Sequence, residues 1–201
     1  MKPVSKKNNA SWNRISQENA LDVSSKMYED STSVTSSLVD SFAWDTVVEW
    51  IKSRGESVTN STSYGNYVNS TFSLSNVLYA VHEYKYTNWT WKSCASKYML
   101  GNLEITSRSL SGEQTVYELA TGTTTETMRN NIYDMAGNMW EWTTETGKHG
   151  NSASTTTWAV FRGGSFLDGG SGYPVSRRHG SNETTWGGSI DVGFRVVLYI
   201  Q

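Results

Sequence analysis

Apolar positions along this chain seldom keep a period, and each run that does is short. The clearest is SSLVDSFAWDTVVEWIKSRGES, where Trp44, Val47, Val48 and Ile51 fall at i, i+3, i+4 and i+7 on one helical face. Ser41 is placed to cap its start, Asp45 lies in its first turn, Lys52 and Arg54 lie in its last, and Gly55 ends it. Upstream, NRISQENALDVSSKMYED spaces Ile15, Leu21 and Met27 too sparsely for more than one weak helix. Residues 1–37 therefore read as a polar leader, helical or flexible, ahead of a domain spanning 38–201. TTTWAVFRGGSF predicts a strand from Trp158 to Phe161 running into a Gly-Gly turn, and VGFRVVLYIQ a last strand from Phe194 to Ile200. Between these, VTNSTSYGNYVNSTFSLSN has no sustained period, and the stretch from Leu78 to Leu110 mixes brief aromatic alternations with turn residues. Few regular elements and many long connections predict a fold specialised for loops.

Composition sharpens this picture. The 201 residues suit one domain able to bury a core. Nine Trp and eleven Tyr mean a core built on rings whose polar edges pair with loop backbone. With two Pro, turns rest on Gly and on Asn, Ser and Thr side chains. A net charge of −2 gives no reason to expect nucleic-acid or anionic-membrane partners. No apolar run follows Lys2, Lys6 and Lys7, so neither a signal peptide nor membrane insertion is expected; synthesis is read as cytoplasmic, with a virion or another route for display. Cys94 stands alone, which rules out an intramolecular disulfide and a Cys-based metal cluster.

Chemistry gathers in two places. NNIYDMAGNMWEWTTE interleaves Asp134, Gly137, Asn138 and Glu141 with Met135, Met139, Trp140 and Trp142. The rings and thioethers read as core, whereas packing alone does not explain Asp134 and Glu141. Arg162 and Arg195 each sit beside a strand and a glycine, and are expected to tie loop carbonyls to the sheet; Arg178 reads similarly. The segment 166–191 sets Leu167, Tyr173, His179 and Trp186 among Gly and Ser, a mix resembling antibody loops, with the bulky groups expected to be exposed. A segment of that length without a period is usually functional or disordered.

AWDTVVEWI, NIYDMAGNMWEWT, VFRGGSF and VGFRVVLY, in that order, resemble the formylglycine-generating-enzyme type of C-type lectin fold. The resemblance covers most of the chain from Phe42 onward and is weak in the middle. It implies an α+β fold, loop-rich with short antiparallel strands and few helices, and no single activity. In the sulfatase-activating members two cysteines after the Gly-Gly-Ser motif bind copper; here those positions are Asp168 and Tyr173, neither able to form a thiolate. In a mononuclear-iron branch the ligands are His-x3-His-x-Glu, a spacing that His82, His149 and His179 do not show. The branch left resembles variable proteins of diversity-generating retroelements, in phage and bacteria, which display a diversified surface between the RGGS and GFR motifs. Diversified Asn-type codons cannot encode Lys, Gln or Met, and 166–191 holds none; Glu183 and Trp186 would need another codon type.

The resemblance makes the chain non-enzymatic, with Leu167, Asp168, Gly172, Tyr173, Arg177, His179, Ser181, Asn182, Thr185, Trp186, Ser189, Ile190 and Asp191 as the ligand-binding surface. Its partner would be a protein or a glycan held by that face, with no cofactor required. It further implies that Asp134, Gly137, Met139 and Glu141 supply a calcium site; the alternative is that the two carboxylates cap local amides without an ion. Trp140, Trp142, Arg162 and Arg195 would support the face from beneath. Two rival roles stand beside this one: an enzyme of the same fold with a site near His179, and a structural virion component.

Overall fold

The computed structural model describes residues 2–4, 6, 9–77, 81–87, 90–95, 101–105, 114–148, 157–181 and 189–201; at 73–77, 81–87, 90–95, 101–105, 114, 148 and 157 the backbone alone is described. Its elements are α1 (Gln17–Ser25), β1 (Val34–Leu38), α2 (Ser41–Ser53), β2 (Phe72–Val77), β3 (Val81–Thr87), β4 (Thr90–Ala95), β5 (Gly101–Ile105), β6 (Gln114–Leu119), β7 (Met128–Arg129), β8 (Ile132–Tyr133), β9 (Trp140–Lys148), β10 (Thr157–Arg162), β11 (Arg178–Ser181), β12 (Val192–Phe194) and β13 (Val196–Ile200). Few helices, many short strands and long connections make a loop-rich α+β domain.

Helix α2 forms where the apolar spacing predicts. Its N-cap is Asp40, not Ser41: the Asp40 carboxylate accepts from the Ala43 N–H at 2.7 Å. Asp45 lies beyond the first turn. At the other end the Gly55 N–H bonds the Lys52 carbonyl and the Glu56 N–H the Ile51 carbonyl, with Gly55 at φ +92°, a Schellman stop. Trp44, Val48 and Ile51 face inward and pack with Tyr64, Tyr67, Met135, Ala136 and Val175.

The site is organised by a four-stranded sheet in the order β11–β10–β9–β12. β10 is antiparallel to both neighbours, while β12 runs parallel to β9. Residues directly opposite one another across strands share a face, so the register sorts the side chains into rows. His179, Phe161, Trp142 and Phe194 make an aromatic row; Arg178, Arg162 and Glu141 make a charged row on the opposite face. Phe161 lies 5.0 Å edge-on from Trp142, and 5.2 Å from the His179 ring, stacked at 15°.

The segment read from sequence as a leader is sewn into this core. Ile15 and Ala20 pack with Leu38, Trp140, Trp142, Ala159, Phe161 and Val192. The Trp142 indole N–H donates to the Ile15 carbonyl at 2.8 Å, and the buried Gln17 amide donates to the Thr143 carbonyl at 2.7 Å. β1 pairs antiparallel with β13 from Val34↔Ile200 to Leu38↔Val196. The predicted strand 194–200 is in fact two, β12 on β9 and β13 on β1, broken at Arg195.

Candidate functional site

The loop between β8 and β9 reverses within Asp134–Asn138. Asp134, Gly137 and Asn138 all take left-handed φ, at 53°, 67° and 62°. A Cβ at Gly137 would run into the Asn66 backbone, so glycine is required on both conformational and steric grounds. Asn138 has the short amide side chain that tolerates this conformation, and it is used fully: its Oδ1 accepts from Leu119 N–H and Asn66 Nδ2, both at 2.9 Å, while its Nδ2 donates to the Leu119 carbonyl.

Asp134 and Glu141 are buried, and each carboxylate has internal donors. Asp134 accepts from the Thr127 hydroxyl at 2.6 Å and the Gly122 N–H at 2.9 Å. Glu141 is gripped by Arg195 through two parallel bonds, Nε to Oε2 at 2.8 Å and Nη2 to Oε1 at 2.7 Å. The same guanidinium donates to the Tyr133 and Asp134 carbonyls at 3.1 and 3.2 Å. Burial pushes both carboxyls above their ordinary range; Thr127 and Gly122 oppose this at Asp134, Arg195 at Glu141. The side-chain oxygens that a calcium ion would need are turned in this structure to the Thr127 hydroxyl, the Gly122 N–H and Arg195, so an ion there would compete with these donors. The expected result is that chelator leaves the melting temperature unchanged; a fall on chelation, reversed by added calcium, would show a bound ion.

Arg162 was expected to bond loop carbonyls. Its described partners are carboxylates instead: Nη2 lies 2.6 Å from Asp45 on α2, and Nη1 lies 3.7 Å from Glu145. Exposed Arg178 shares Glu145, with Nε at 2.6 Å. Trp140 and Trp142 are buried, as the core reading of these rings expects.

Leu167, Asp168, Gly172, Tyr173, Arg177, His179, Ser181, Ser189, Ile190 and Asp191 lie at the surface in varying degree; Asn182, Thr185 and Trp186 fall outside the described residues. Gly172 and Arg177 are exposed. Leu167 and Tyr173, expected to be exposed, are half-buried. Tyr173 stands edge-on to Trp140 at 5.6 Å with the Arg177 guanidinium over its ring at 5.5 Å, and His179 lies 5.6 Å from Trp140. Leu167 and Ile190 rest on a cluster of Val68, Val116, Met139 and Phe166. Leu167, Ile190, Tyr173 and His179 thus each rest one edge against buried residues.

Sequence reasoning missed Ser165. Its Oγ lies 2.7 Å from Asp168 Oδ2 and 3.1 Å from Asp191 Oδ2, and accepts from the Leu167 N–H. One hydroxyl hydrogen serves one of these carboxylates at a time. Burial pushes Asp168 up to about 6, helped by the charge of Asp191 and opposed by Ser165. A folded value above the unfolded one contributes stability at low pH that is lost as pH rises through about 6. Melting temperature should therefore fall between pH 5 and pH 7.5 less steeply in Asp168→Asn than in the parent; equal slopes would mean Asp168 is not the titrating group.

Also missed was the supporting loop 57–70, which had no period to read. Ser61 N–H bonds the Gly170 carbonyl, Val175 N–H bonds Ser61 Oγ, Val68 N–H bonds the Asp168 carbonyl, and Tyr67 OH donates to the Gly163 carbonyl at 2.8 Å. Gly164, at φ +76°, lets the chain pass against Tyr67 and the Tyr173 carbonyl where a Cβ would not fit.

An α+β domain with few helices, short strands and a long surface segment laid over a buried Trp-rich sheet is the class this geometry defines. The chain belongs to the sulfatase-modifying factor enzyme 1-like domain family, whose pattern matches residues 24–200. No curated protein and no solved structure matches it. Among the described residues no three His, Cys, Asp or Glu side chains are grouped to hold a metal ion, and no helix is long and apolar enough to cross a membrane.

Proposed function

We propose that this chain is a non-enzymatic ligand-binding domain of C-type lectin-like type, a variable protein of a diversity-generating retroelement, whose contact surface is the segment 166–191. One observation carries the reading. Where the sulfatase-activating resemblance calls for two copper-binding thiols, the chain has Asp168, hydrogen-bonded to Ser165, and Tyr173, packed on Trp140. Those contacts support a segment whose shape is held by scaffold while its outer edges meet a protein or glycan partner.

A substitution scan tests it. Leu167, Gly172, Arg177, Ser181, Ser189 and Ile190 should each accept most replacements at a cost of roughly half a kcal/mol or less, with Leu167 and Ile190 nearer the upper bound. Trp140, Trp142, Arg162 and Arg195 should reject nearly all. A face as intolerant as its scaffold would sink the proposal. In the neighbouring DNA, a reverse-transcriptase gene and a near-copy of the Arg162–Arg195 codons differing mainly at adenines would establish the retroelement role.

A second reading, an enzyme of the same fold, draws on the meeting of His179, Tyr173 and Trp140 near Asp168, with Tyr173 and His179 rings 6.1 Å apart. It predicts turnover of some substrate that His179→Ala abolishes. For the activity the family name suggests, oxidation of a cysteine-containing peptide with added copper should stay at the no-protein background.

A further inference from the structure

The carboxy-terminal end of the candidate face is held by the far end of the sequence. Asn13 Nδ2 donates to the Ile190 carbonyl at 2.7 Å, with Glu118 Oε2 a second, longer acceptor at 3.3 Å. The next residue, Arg14, donates its N–H to the Ser189 carbonyl at 3.3 Å. Arg14 does so at φ 54°, a left-handed conformation that is strained for a non-glycine residue and persists only where its surroundings hold it. Trp12, just before, stands edge-on to Phe194 at 5.6 Å. The strap passes so close to β12 that a Cβ on Gly193 would lie 2.9 Å from the Trp12 carbonyl oxygen. Trp12, Asn13 and Arg14 do not belong to the face, and none lies in a strand of the sheet beneath it.

We propose that Asn13 is a positioning residue for the binding face. Through Ile190 it fixes residues 189–191 where they join β12, so the shape presented to a partner there depends on the strap Trp12–Arg14. What the face is for rests on the display reading; that it is clamped does not. The clamp also explains a residue choice: Gly193 is small because the strap needs its space, and it sits in the turn-and-strand that the clamp holds.

The test is amide hydrogen exchange on the full chain, parent against Asn13→Leu and Gly193→Ala. Leucine keeps the branched heavy-atom outline of Asn13 but donates nothing; alanine at Gly193 crowds the strap without touching Asn13. The Arg14 and Val192 amides, bonded to the Ser189 carbonyl, should exchange roughly tenfold faster in both variants, as expected for a local opening freed of one buried hydrogen bond. Amides of β9 and β10 should exchange at the parent rate. Parent-like exchange at Arg14 and Val192 overturns the clamp. So does acceleration spread equally through β9 and β10, which would mark general loosening. If Gly193→Ala does not fold, Asn13→Leu decides alone. No ligand enters the measurement, so its outcome is separable from that of the substitution scan. A tolerant face with parent-like exchange removes the clamp, and an intolerant face with faster exchange removes the display reading.

Discussion

Arg195→Ala should destabilise the domain by about 3 kcal/mol, the lower end of the range for breaking a buried ion pair, because Arg195 keeps some contact with solvent. The loss is not the strength of two hydrogen bonds. It is chiefly the cost of leaving Glu141 charged in a buried place, with the Tyr133 and Asp134 carbonyls losing a donor as well. This origin gives the penalty a pH signature. Burial already raises the Glu141 carboxyl, and without the guanidinium that opposes the rise it goes higher. A raised folded-state value contributes stability that is present in acid and lost as pH increases. The gap between variant and parent should therefore be smallest near pH 5 and widen toward pH 8, measured by urea unfolding. Glu141→Gln placed on Arg195→Ala should recover part of the loss at pH 8. A gap that is negligible, or the same at both pH values, would mean that the pair does not support the loop.

Trp142→Ala should cost more, about 4–5 kcal/mol, close to a domain's whole margin. Trp142 is fully buried between Phe161 and the amino-terminal segment, and its indole N–H satisfies the Ile15 carbonyl. Removing it opens a cavity and orphans a buried acceptor together. Trp142→Phe separates the two effects, because it keeps most of the ring and loses the donor; it should cost about 1–2 kcal/mol. Denaturant melting of both variants checks this. If Trp142→Phe is as damaging as Trp142→Ala, the hydrogen bond to Ile15 rather than ring packing holds the segment.

What the sequence made legible follows from what has a period. α2 could be read because Trp44, Val48 and Ile51 repeat on one face and Gly55 stops the helix; β10 could be read because a compact apolar run meets two glycines. The burial of Trp140 and Trp142 and the bonds of Arg195 to loop carbonyls were legible through the motifs that carry them. The leader was not. It is held by Gln17 and the Ile15 carbonyl, and hydrogen bonds from a side chain to distant backbone leave no repeating signature. Loop 57–70 escaped for the same reason, since Ser61, Tyr67 and Asn69 act through single bonds to the face. The break at Arg195 was invisible because VGFRVVLYI is apolar on both sides of that residue, whichever sheet each half joins. The half-burial of Leu167 and Tyr173 had no local cue, because it depends on Met139 and Trp140 reaching them from another part of the chain.

The pairing of β1 with β13 also bears on how the molecule is made. Val34 finds its partner at Ile200, so the first strand waits for nearly the whole domain to be synthesised. β12 meets β9 in parallel, which likewise cannot be done by a tight turn. Contacts between positions so far apart carry a large loop-closure cost before they return any stability, and domains dominated by them fold in milliseconds to seconds rather than microseconds. During that interval Ile15, Leu38, Trp140 and Trp142 have no cover, and a ribosome-bound chain would expose them until its last strand emerged. Folding of the domain is therefore expected to wait until β13 has left the ribosome and to be chaperone-sensitive, with β13 as the closing piece.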